Sequence, residues 1–230
     1  MPEQLKDIYQ CKVCGRFIES QRHCGTKAAF IIDGERRLRL SKLMSAILRH
    51  IAKDIGLNVT KDGWVSISEM VSKIKQWKPE NYSWVENEHV VAIAEVDAKG
   101  RFEVSGGLIR ARYGHTMDVE IPLPEDNEVS VLYHGTSSSN LKDIMEQGIK
   151  PMERRKVHLT SSLEEALESA RRKGIDVVIL EVDARKLRSK GYKTLKAGKH
   201  VYVTDYVPPD CIRKMPRAKI AKLIASSSRK

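Results

Sequence analysis

Acidic residues are in deficit along this chain: 30 Asp and Glu stand against 41 Lys and Arg, a formal net charge of +11. Such an excess says little about fold but much about partners. Each phosphate that a cation neutralises releases a counterion, so a polyanion such as nucleic acid is the expected ligand. The competing reading is a cationic surface that only keeps the protein solvated. Apolar runs are short, and none approaches the ~20 residues that span a bilayer. Met1-Pro2-Glu3-Gln4-Leu5-Lys6 has neither a secretory apolar region nor a transit-peptide composition, so a cytoplasmic location is expected. There is no G-x-G-x-x-G to suggest a Rossmann domain and no P-loop to suggest nucleoside triphosphate hydrolysis. No internal repeat is visible. What remains is 230 residues of ordinary hydrophobic content, enough for one or two domains with real cores.

Cysteine is also scarce, and the four present do not read as a disulfide framework. Cys11 and Cys14 form a C-x-x-C, and His23-Cys24 follows shortly after, with Gly15 and Gly25 where tight knuckle turns need them. Cys11, Cys14, His23 and Cys24 can supply four tetrahedral N/S ligands to a structural zinc ion. Adjacent His23 and Cys24 reach one ion only through a bent backbone, so either of them, or a residue elsewhere, is left open as the fourth ligand. Free thiols are the alternative. Cys211, in Val-Pro-Pro-Asp-Cys-Ile, is expected to be a packed small hydrophobe.

Residues 36 to 54 read as an amphipathic helix with Leu40, Leu43, Met44, Ile47 and Ile51 on one stripe. Arg49 and His50 fall near its C-terminal end, where the helix dipole favours cations. Asp62-Gly63-Trp64-Val65 is a turn and short strand, and the S-x-x-E at Ser66–Glu69 starts a second helix towards Trp77. A third helix over 87–96 and two strands around Gly106-Gly107 complete a winged-helix-like pattern over residues 35–120. Ile121-Pro122-Leu123-Pro124-Glu125-Asp126-Asn127 is a polar connector and the natural boundary. Beyond it, strands near 129–134, 156–160, 177–182 and 201–206 alternate with helices near 139–147 and 162–173. The fold class is α+β, with domains at 1–34, 35–120 and 121–230. Seven Lys and Arg lie between Arg185 and Lys199 with no acid among them, and 213–230 repeats the imbalance, ending in a disordered-looking Ser226-Ser227-Ser228-Arg229-Lys230.

The densest chemistry lies in the last domain. The strand Val129–Tyr133 delivers His134 to a turn of small residues, Gly135-Thr136-Ser137, and a second strand carries His158 and Thr160. Gly135 is expected to let a flat or anionic ligand approach the backbone, with hydroxyls at the same mouth.

Four segments in order, Ser41-Lys42-Leu43-Met44-Ser45-Ala46-Ile47-Leu48-Arg49-His50, Ile109-Arg110-Ala111-Arg112-Tyr113-Gly114-His115, Tyr133-His134-Gly135-Thr136 and Met152-Glu153-Arg154-Arg155-Lys156-Val157-His158-Leu159-Thr160, resemble the signatures of the NAD-dependent RNA 2′-phosphotransferase family. The resemblance covers about residues 36 to 215. Arg112-Tyr113 departs from the usual polar pair, Lys156 stands where an imidazole is common, and Thr160 replaces Ser. The resemblance implies a winged-helix-like RNA-binding lobe and an ADP-ribosyltransferase-like NAD lobe. It implies Arg49, His50, Arg110 and Arg154 as catalytic residues, with Arg155 left open as the alternative to Arg154. His134, Gly135, Thr136, His158 and Thr160 are implied to hold NAD, which serves as co-substrate, and the RNA partner is expected to be tRNA.

The implied reaction explains the arginines. An RNA 2′-phosphate attacks the anomeric carbon of the nicotinamide ribose and expels nicotinamide; the ribose 2″-hydroxyl then attacks phosphorus, freeing the RNA 2′-hydroxyl and ADP-ribose 1″,2″-cyclic phosphate. A phosphate monoester is already an anion, so the first step needs aim rather than a base, and guanidinium groups give planar, permanently protonated donors. Charge then gathers on phosphoryl oxygens, where preorganised cations count most. Glu181 is the only acid on the apolar 177–180 strand's end; it reads as structural, because a carboxylate would repel the phosphate. Two other functions fit parts of the pattern: an ADP-ribosyltransferase that caps terminal phosphates of RNA or DNA, and a non-enzymatic nucleic-acid-binding protein.

Overall fold

The computed structural model describes residues 6–174 and 176–227, and shows a mixed α+β chain in two compact units that meet in sequence between Pro122 and Leu123. No described helix is long and apolar enough to cross a membrane.

The first unit opens with β1 (Ile8–Gln10), β2 (Phe17–Ile18), β3 (Arg22–His23), β4 (Thr26–Lys27) and β5 (Ala29–Ile32). β2, β1 and β5 form an antiparallel three-stranded sheet, and β3–β4 is a separate hairpin. Helix α1 (Gly34–Ala46) follows, its first turn capped by Asp33 accepting from the Arg36 amide and by Asp7 accepting from the Gly34 amide, 2.9 Å each. These carboxylates satisfy amides that the helix itself cannot. The expected single helix to residue 54 is not what forms. Residues Ile47–Ile51 are a π-helical turn, and the chain then unwinds. The wider turn lets the consecutive Ile47 and Leu48 both bury, which 3.6-residue periodicity does not anticipate. β6 (Val65–Ser66), α2 (Ile67–Trp77), the single turn α3 (Pro79–Tyr82), α4 (Asn87–Glu95), β7 (Phe102–Ser105) and β8 (Leu108–Ala111) complete the unit. Ser66 caps α2 by accepting from the Glu69 amide, as its spacing predicts. β6, β8 and β7 pair antiparallel in that order, with β7 and β8 turning at Gly106-Gly107. One core serves all of this: Ile8 and Ile32 of the first sheet pack in the same cluster as Leu40, Met44, Met70, Ile74, Val90, Ile93 and Ile109.

The second unit is built on six strands in the order β12-β13-β10-β9-β11-β14, all pairings antiparallel. In chain order these are β9 (Val131–Ser137), α5 (Leu141–Gln147), β10 (Val157–Thr160), α6 (Leu163–Arg171), β11 (Val177–Asp183), α7 (Ala184–Ser189), β12 (Leu195–Lys196), β13 (Val201–Thr204), β14 (Ile212–Lys214) and α8 (Arg217–Ser227). β9 does not end in a turn at His134. It runs on through Ser137, because β11 pairs with all seven of its residues, from Val131↔Asp183 to Ser137↔Val177. Two apolar clusters result, one with Leu132, Leu159, Leu180 and Val182, the other under α6 and α8 with Ala166, Leu167, Ile179 and Ile220. Cys211 is buried at 3% exposure in the first of them. Ser226 and Ser227, read as the start of a loose tail, belong to α8; Ser228, Arg229 and Lys230 lie outside the described residues.

The basic run at Arg185–Lys199 is largely absorbed by the fold. Lys186 and Lys190 pair with Asp210, and Lys193 with Glu125. Arg188 donates to the Val129 carbonyl and to Thr194 Oγ1. These cations fix the connector to α7 and β12, so their clustering in sequence does not mark a phosphate-binding face.

Candidate functional site

In the first unit the π-helical turn decides where Arg49 and His50 go. The Arg49 guanidinium lies over the Tyr113 ring, 4.9 Å from its centroid, and Gly114 at φ +91° brings the backbone against the same group. A Cβ on Gly114 would sit 3.2 Å from Arg49 Nε. The Arg49 carbonyl accepts from the Thr116 amide at 3.0 Å, and His50 Nδ1 meets Thr116 Oγ1 at 3.0 Å. The segment after β8 is thus stitched to the π turn, and in place of a simple helix-end cation Arg49 and His50 make lateral contacts with residues 113–116. The structure brings Arg49 and His50 together with the end of the Ile109–Thr116 segment.

Arg110 is placed differently from the exposed phosphate grip that its motif suggests. It is 6% exposed. Nε and Nη2 both donate to Glu103 Oε2 at 3.0 and 2.8 Å, Nη1 donates to the Asp62 carbonyl at 3.2 Å, and the guanidinium stacks 4.3 Å from the Trp64 ring. Asp62 Oδ2 completes the set at 3.4 Å, and the arginine charge helps hold the Asp62 carboxyl below its ordinary range, after the larger effect of the Thr60 hydroxyl. Arg110 therefore enters any anion site already partly neutralised.

In the second unit the sequence-predicted residues separate into two groups. His134, on β9, donates from Nδ1 to the His158 carbonyl at 3.0 Å, and its Nε2 accepts from Lys173 Nζ at 3.3 Å. Lys173 also donates to the Gly135 carbonyl at 2.9 Å, so its ammonium turns inward although the residue as a whole is exposed. Burial pushes the His134 imidazole down to about 4, and the Lys173 charge and then the Arg154 charge push the same way. Lys173 is itself lowered, by burial and then by Arg154 and Arg172. His134 is thus a neutral ring of fixed tautomer, donor at Nδ1 and acceptor at Nε2. His158 is fixed likewise, Nδ1 donating to the Lys156 carbonyl at 3.0 Å. Arg154 lies close enough to weigh on both His134 and Lys173.

The other group turns away. A Cβ on Gly135 would fall 2.0 Å from the Ala166 carbonyl oxygen and 2.8 Å from the Ala170 amide nitrogen. Gly135 is required by the packing of β9 on α6, which corrects the expectation that it opens the backbone to a ligand. Thr160 Oγ1 donates to Glu165 Oε2 at 3.0 Å and accepts from the Ser162 amide at 3.1 Å, so its hydroxyl belongs to the start of α6. Thr136 stays with the site: it is 1% exposed and its Oγ1 has no hydrogen-bond partner among the described residues. Glu181 pairs with Lys219 of α8 at 3.1 Å, in keeping with a structural reading. Lys156, at the position where an imidazole is common, pairs with Asp205 at 2.5 Å.

Lys173 is the residue that sequence reasoning passed over. Its only signal is a lysine just after a helix in the polar run Arg171-Arg172-Lys173-Gly174, where a solvated charge is the natural reading. Near the N-terminus, Cys11, Cys14, His23 and Cys24 converge, their ligand atoms all within 4.8 Å of one another.

Comparison with known proteins is consistent across the chain. Residues 35–206 match the sequence model of the "RNA 2'-phosphotransferase, Tpt1 / KptA family". A protein of Hyperthermus butylicus, named a probable RNA 2'-phosphotransferase, is 43% identical over 90% of this chain and 92% of its own length. One of the same name from Aeropyrum pernix is 42% identical over 96% of this chain and 99% of its own. Another, from Pyrococcus horikoshii, is 50% identical but covers 76% of this chain while 97% of its own length is matched.

Proposed function

Because the chain belongs to the RNA 2′-phosphotransferase family, we propose that it removes an internal 2′-phosphate from RNA, with tRNA as the physiological substrate of a splicing or processing step, and transfers it to NAD. The proposed chemistry has two displacements. A 2′-phosphate oxygen attacks the anomeric carbon of the nicotinamide ribose as the bond to nicotinamide breaks. The neighbouring ribose 2″-hydroxyl then attacks phosphorus and gives up its proton, the RNA 2′-oxygen leaves and takes one up, and ADP-ribose 1″,2″-cyclic phosphate departs.

The observation that carries this reading is the cationic setting of His134. A neutral imidazole held between a carbonyl and an inward-turned ammonium, with Arg154 acting on both, is an arrangement short of negative charge. Burial and the Arg154 and Arg172 charges press on the Lys173 ammonium, and an arriving anion relieves that pressure; the pyrophosphate or transferring phosphate supplies it. His134, Thr136 and His158 are assigned to NAD, with Lys173 positioning His134. Gly135 and Thr160 shape this strand pair from behind. In the first unit Arg49 and His50 hold the RNA 2′-phosphate, and Arg110 supports it with whatever donor capacity Glu103 and Asp62 leave. Arg154 stabilises the charge that develops on phosphorus. The first unit's order of helix, strand, three helices (the middle one a single turn) and a two-stranded hairpin supports a winged-helix-like RNA-binding module over residues 35–120. The six-stranded unit is read as ADP-ribosyltransferase-like, over 121–230.

The test is to incubate the protein with NAD and an oligonucleotide carrying one internal 2′-phosphate. Expected products are nicotinamide, an RNA with a free 2′-hydroxyl and a cyclic phosphate of ADP-ribose. Nicotinamide release with a stable ADP-ribosyl RNA, seen equally with terminal phosphates, would replace this reading with a phosphate-capping transferase. No nicotinamide release with any RNA would leave a binding protein.

A further inference from the structure

The N-terminal segment lies ahead of the residues that match the family, which begin at residue 35. It nonetheless carries the tightest cluster of metal-ligating atoms among the described residues: three thiols and one imidazole within 4.8 Å of one another. His23 Nδ1 is 3.5 Å from Cys14 Sγ and 3.1 Å from Cys24 Sγ. A tetrahedral zinc ion with bonds of about 2.3 Å to sulfur and about 2.0–2.1 Å to nitrogen places its ligand atoms roughly 3.5–3.8 Å apart. The cluster matches that geometry to within small side-chain shifts. No pair among the three has closed into a disulfide.

The backbone is shaped to aim all four groups inward. The Gly15 amide donates to the Cys11 carbonyl and the Cys11 amide to the Arg16 carbonyl, closing the first knuckle at 2.9 Å each. Gly15 and Gly25 stand at φ +73° and +75°, and Cys24 itself at +49°. A non-glycine residue in the left-handed region is uncommon. Here it solves the difficulty of adjacent ligands, since the reversal at Cys24 swings its thiol to the side on which His23 lies.

We propose that Cys11, Cys14, His23 and Cys24 together bind one zinc ion, and that this ion clamps the N-terminal segment onto the start of α1. Three thiolates and an imidazole complete the tetrahedron, so no coordination position is open to a substrate and the site is structural. What it secures is specific. Between the two ligand pairs lies Glu19, which pairs with Arg37 of α1 at 2.6 Å, and just ahead of them Asp7 accepts from the Gly34 amide. Ile8 and Ile32 join the segment to the core beneath. The short strands of β1–β4 offer little else to hold them, and a metal supplies what so small a piece of chain cannot bury.

The full chain, purified under reducing conditions, is tested by elemental analysis, by cobalt substitution and by thermal unfolding before and after chelation. One zinc per chain is expected, and cobalt should give tetrahedral d–d bands with thiolate-to-metal charge transfer. Cys14→Ser with Cys24→Ser should abolish both, and Cys211→Ser should change neither. Chelation should lower the first unfolding transition of the wild-type chain. Absence of zinc after reconstitution with the metal and reductant, octahedral cobalt spectra, or equal metal loss in Cys211→Ser would overturn the site. These measurements use the wild-type chain first, so a variant that fails to fold does not protect the proposal. An unchanged unfolding transition after complete metal removal would overturn the clamp.

Discussion

The candidate-site cations of the two units are held in opposite ways. In the first, Arg110 is shared between Glu103 and Asp62 and stacked on Trp64, and Arg101 is chelated by Asp97 while reaching Ser41 of α1. In the second, Lys173 and His134 share a hydrogen bond, and the charges that bear on Lys173 come from Arg154 and Arg172. Paired cations fix a scaffold and leave little charge to spend on a ligand. Crowded cations are held against their own repulsion by the surrounding fold, and an incoming anion relieves it. The lesson is that an arginine in a motif and a charge available for chemistry are separate quantities, and only the partners tell them apart.

If the contrast holds, substitutions in the crowded cluster should act through charge, and those in the paired set through the geometry that the pairing holds. The largest effect is expected for Arg154→Ala. A cation that stabilises charge on a transferring phosphoryl group is worth on the order of 10³-fold in rate, so the second step should slow by about that much while ADP-ribosylated RNA accumulates. Arg155→Ala should retain near-normal turnover. Equal loss in both variants, without an intermediate on a denaturing gel, would dissolve the distinction.

Next in size is Gly135→Ala. The new methyl would meet the Ala166 carbonyl oxygen at 2.0 Å, which α6 can avoid only by moving off β9. A cost of about 3 kcal/mol or more is expected in denaturant unfolding, at the upper end for overpacking. If the variant were as stable as wild type but bound NAD poorly, the glycine would serve ligand approach after all.

These outcomes bear on how much was legible in the residues. Period disclosed α2, β7, β8 and α6 well, and the cap of α2 with them, because local chemistry decides these: Ser66 accepts from the amide three residues on, and in the fold Ser162 does the same for α6. The π turn at Ile47–Ile51 was not legible, since its cause is the burial of Ile47 and Leu48 together in a core assembled from distant segments. Nor was the continuation of β9, which depends on pairing with β11 some forty residues later. Among candidate site residues, Arg49 and His50 were singled out by the ordered motifs of the family resemblance, whereas His134 and His158 stood out as imidazoles on strand-like segments. Lys173 did not, because lysines at helix ends are common and only the fold turns this one inward. The pairing of the Arg185–Lys199 run was not legible either, because its partners Asp210 and Glu125 lie beyond the run at either side.

A smaller change should follow Lys173→Met. Between about pH 6.5 and 4 the unfolded chain takes up a proton at His134 that the fold refuses. Stability from this group is therefore present above about 6.5 and declines as pH falls through that window. Removing the Lys173 charge should raise the imidazole from about 4 part of the way back, because burial, the larger cause, remains. The fall in thermal midpoint between pH 7 and 5 should then shrink. An NMR titration of His134 that does not move in the variant would show that Lys173 is a bystander.

The smallest effect tests the paired side of the contrast. Tyr113 departs from the polar pair usual before Gly114, and in the fold its ring lies 4.9 Å from the Arg49 guanidinium. A cation–π contact at a partly exposed site is worth about 0.5–1 kcal/mol, so Tyr113→Leu should weaken binding of 2′-phosphorylated RNA by roughly two- to five-fold. The preference over the same RNA with a plain 2′-hydroxyl should fall by the same factor, since backbone contacts elsewhere do not sense the branch. Tyr113→Phe keeps the ring face and should restore both. The readout is a pair of binding isotherms at fixed salt, because ionic strength alone can shift such affinities by more than the effect sought. Should Tyr113→Leu lower affinity for both RNAs equally, the ring would be a general contact and would not set the orientation of Arg49.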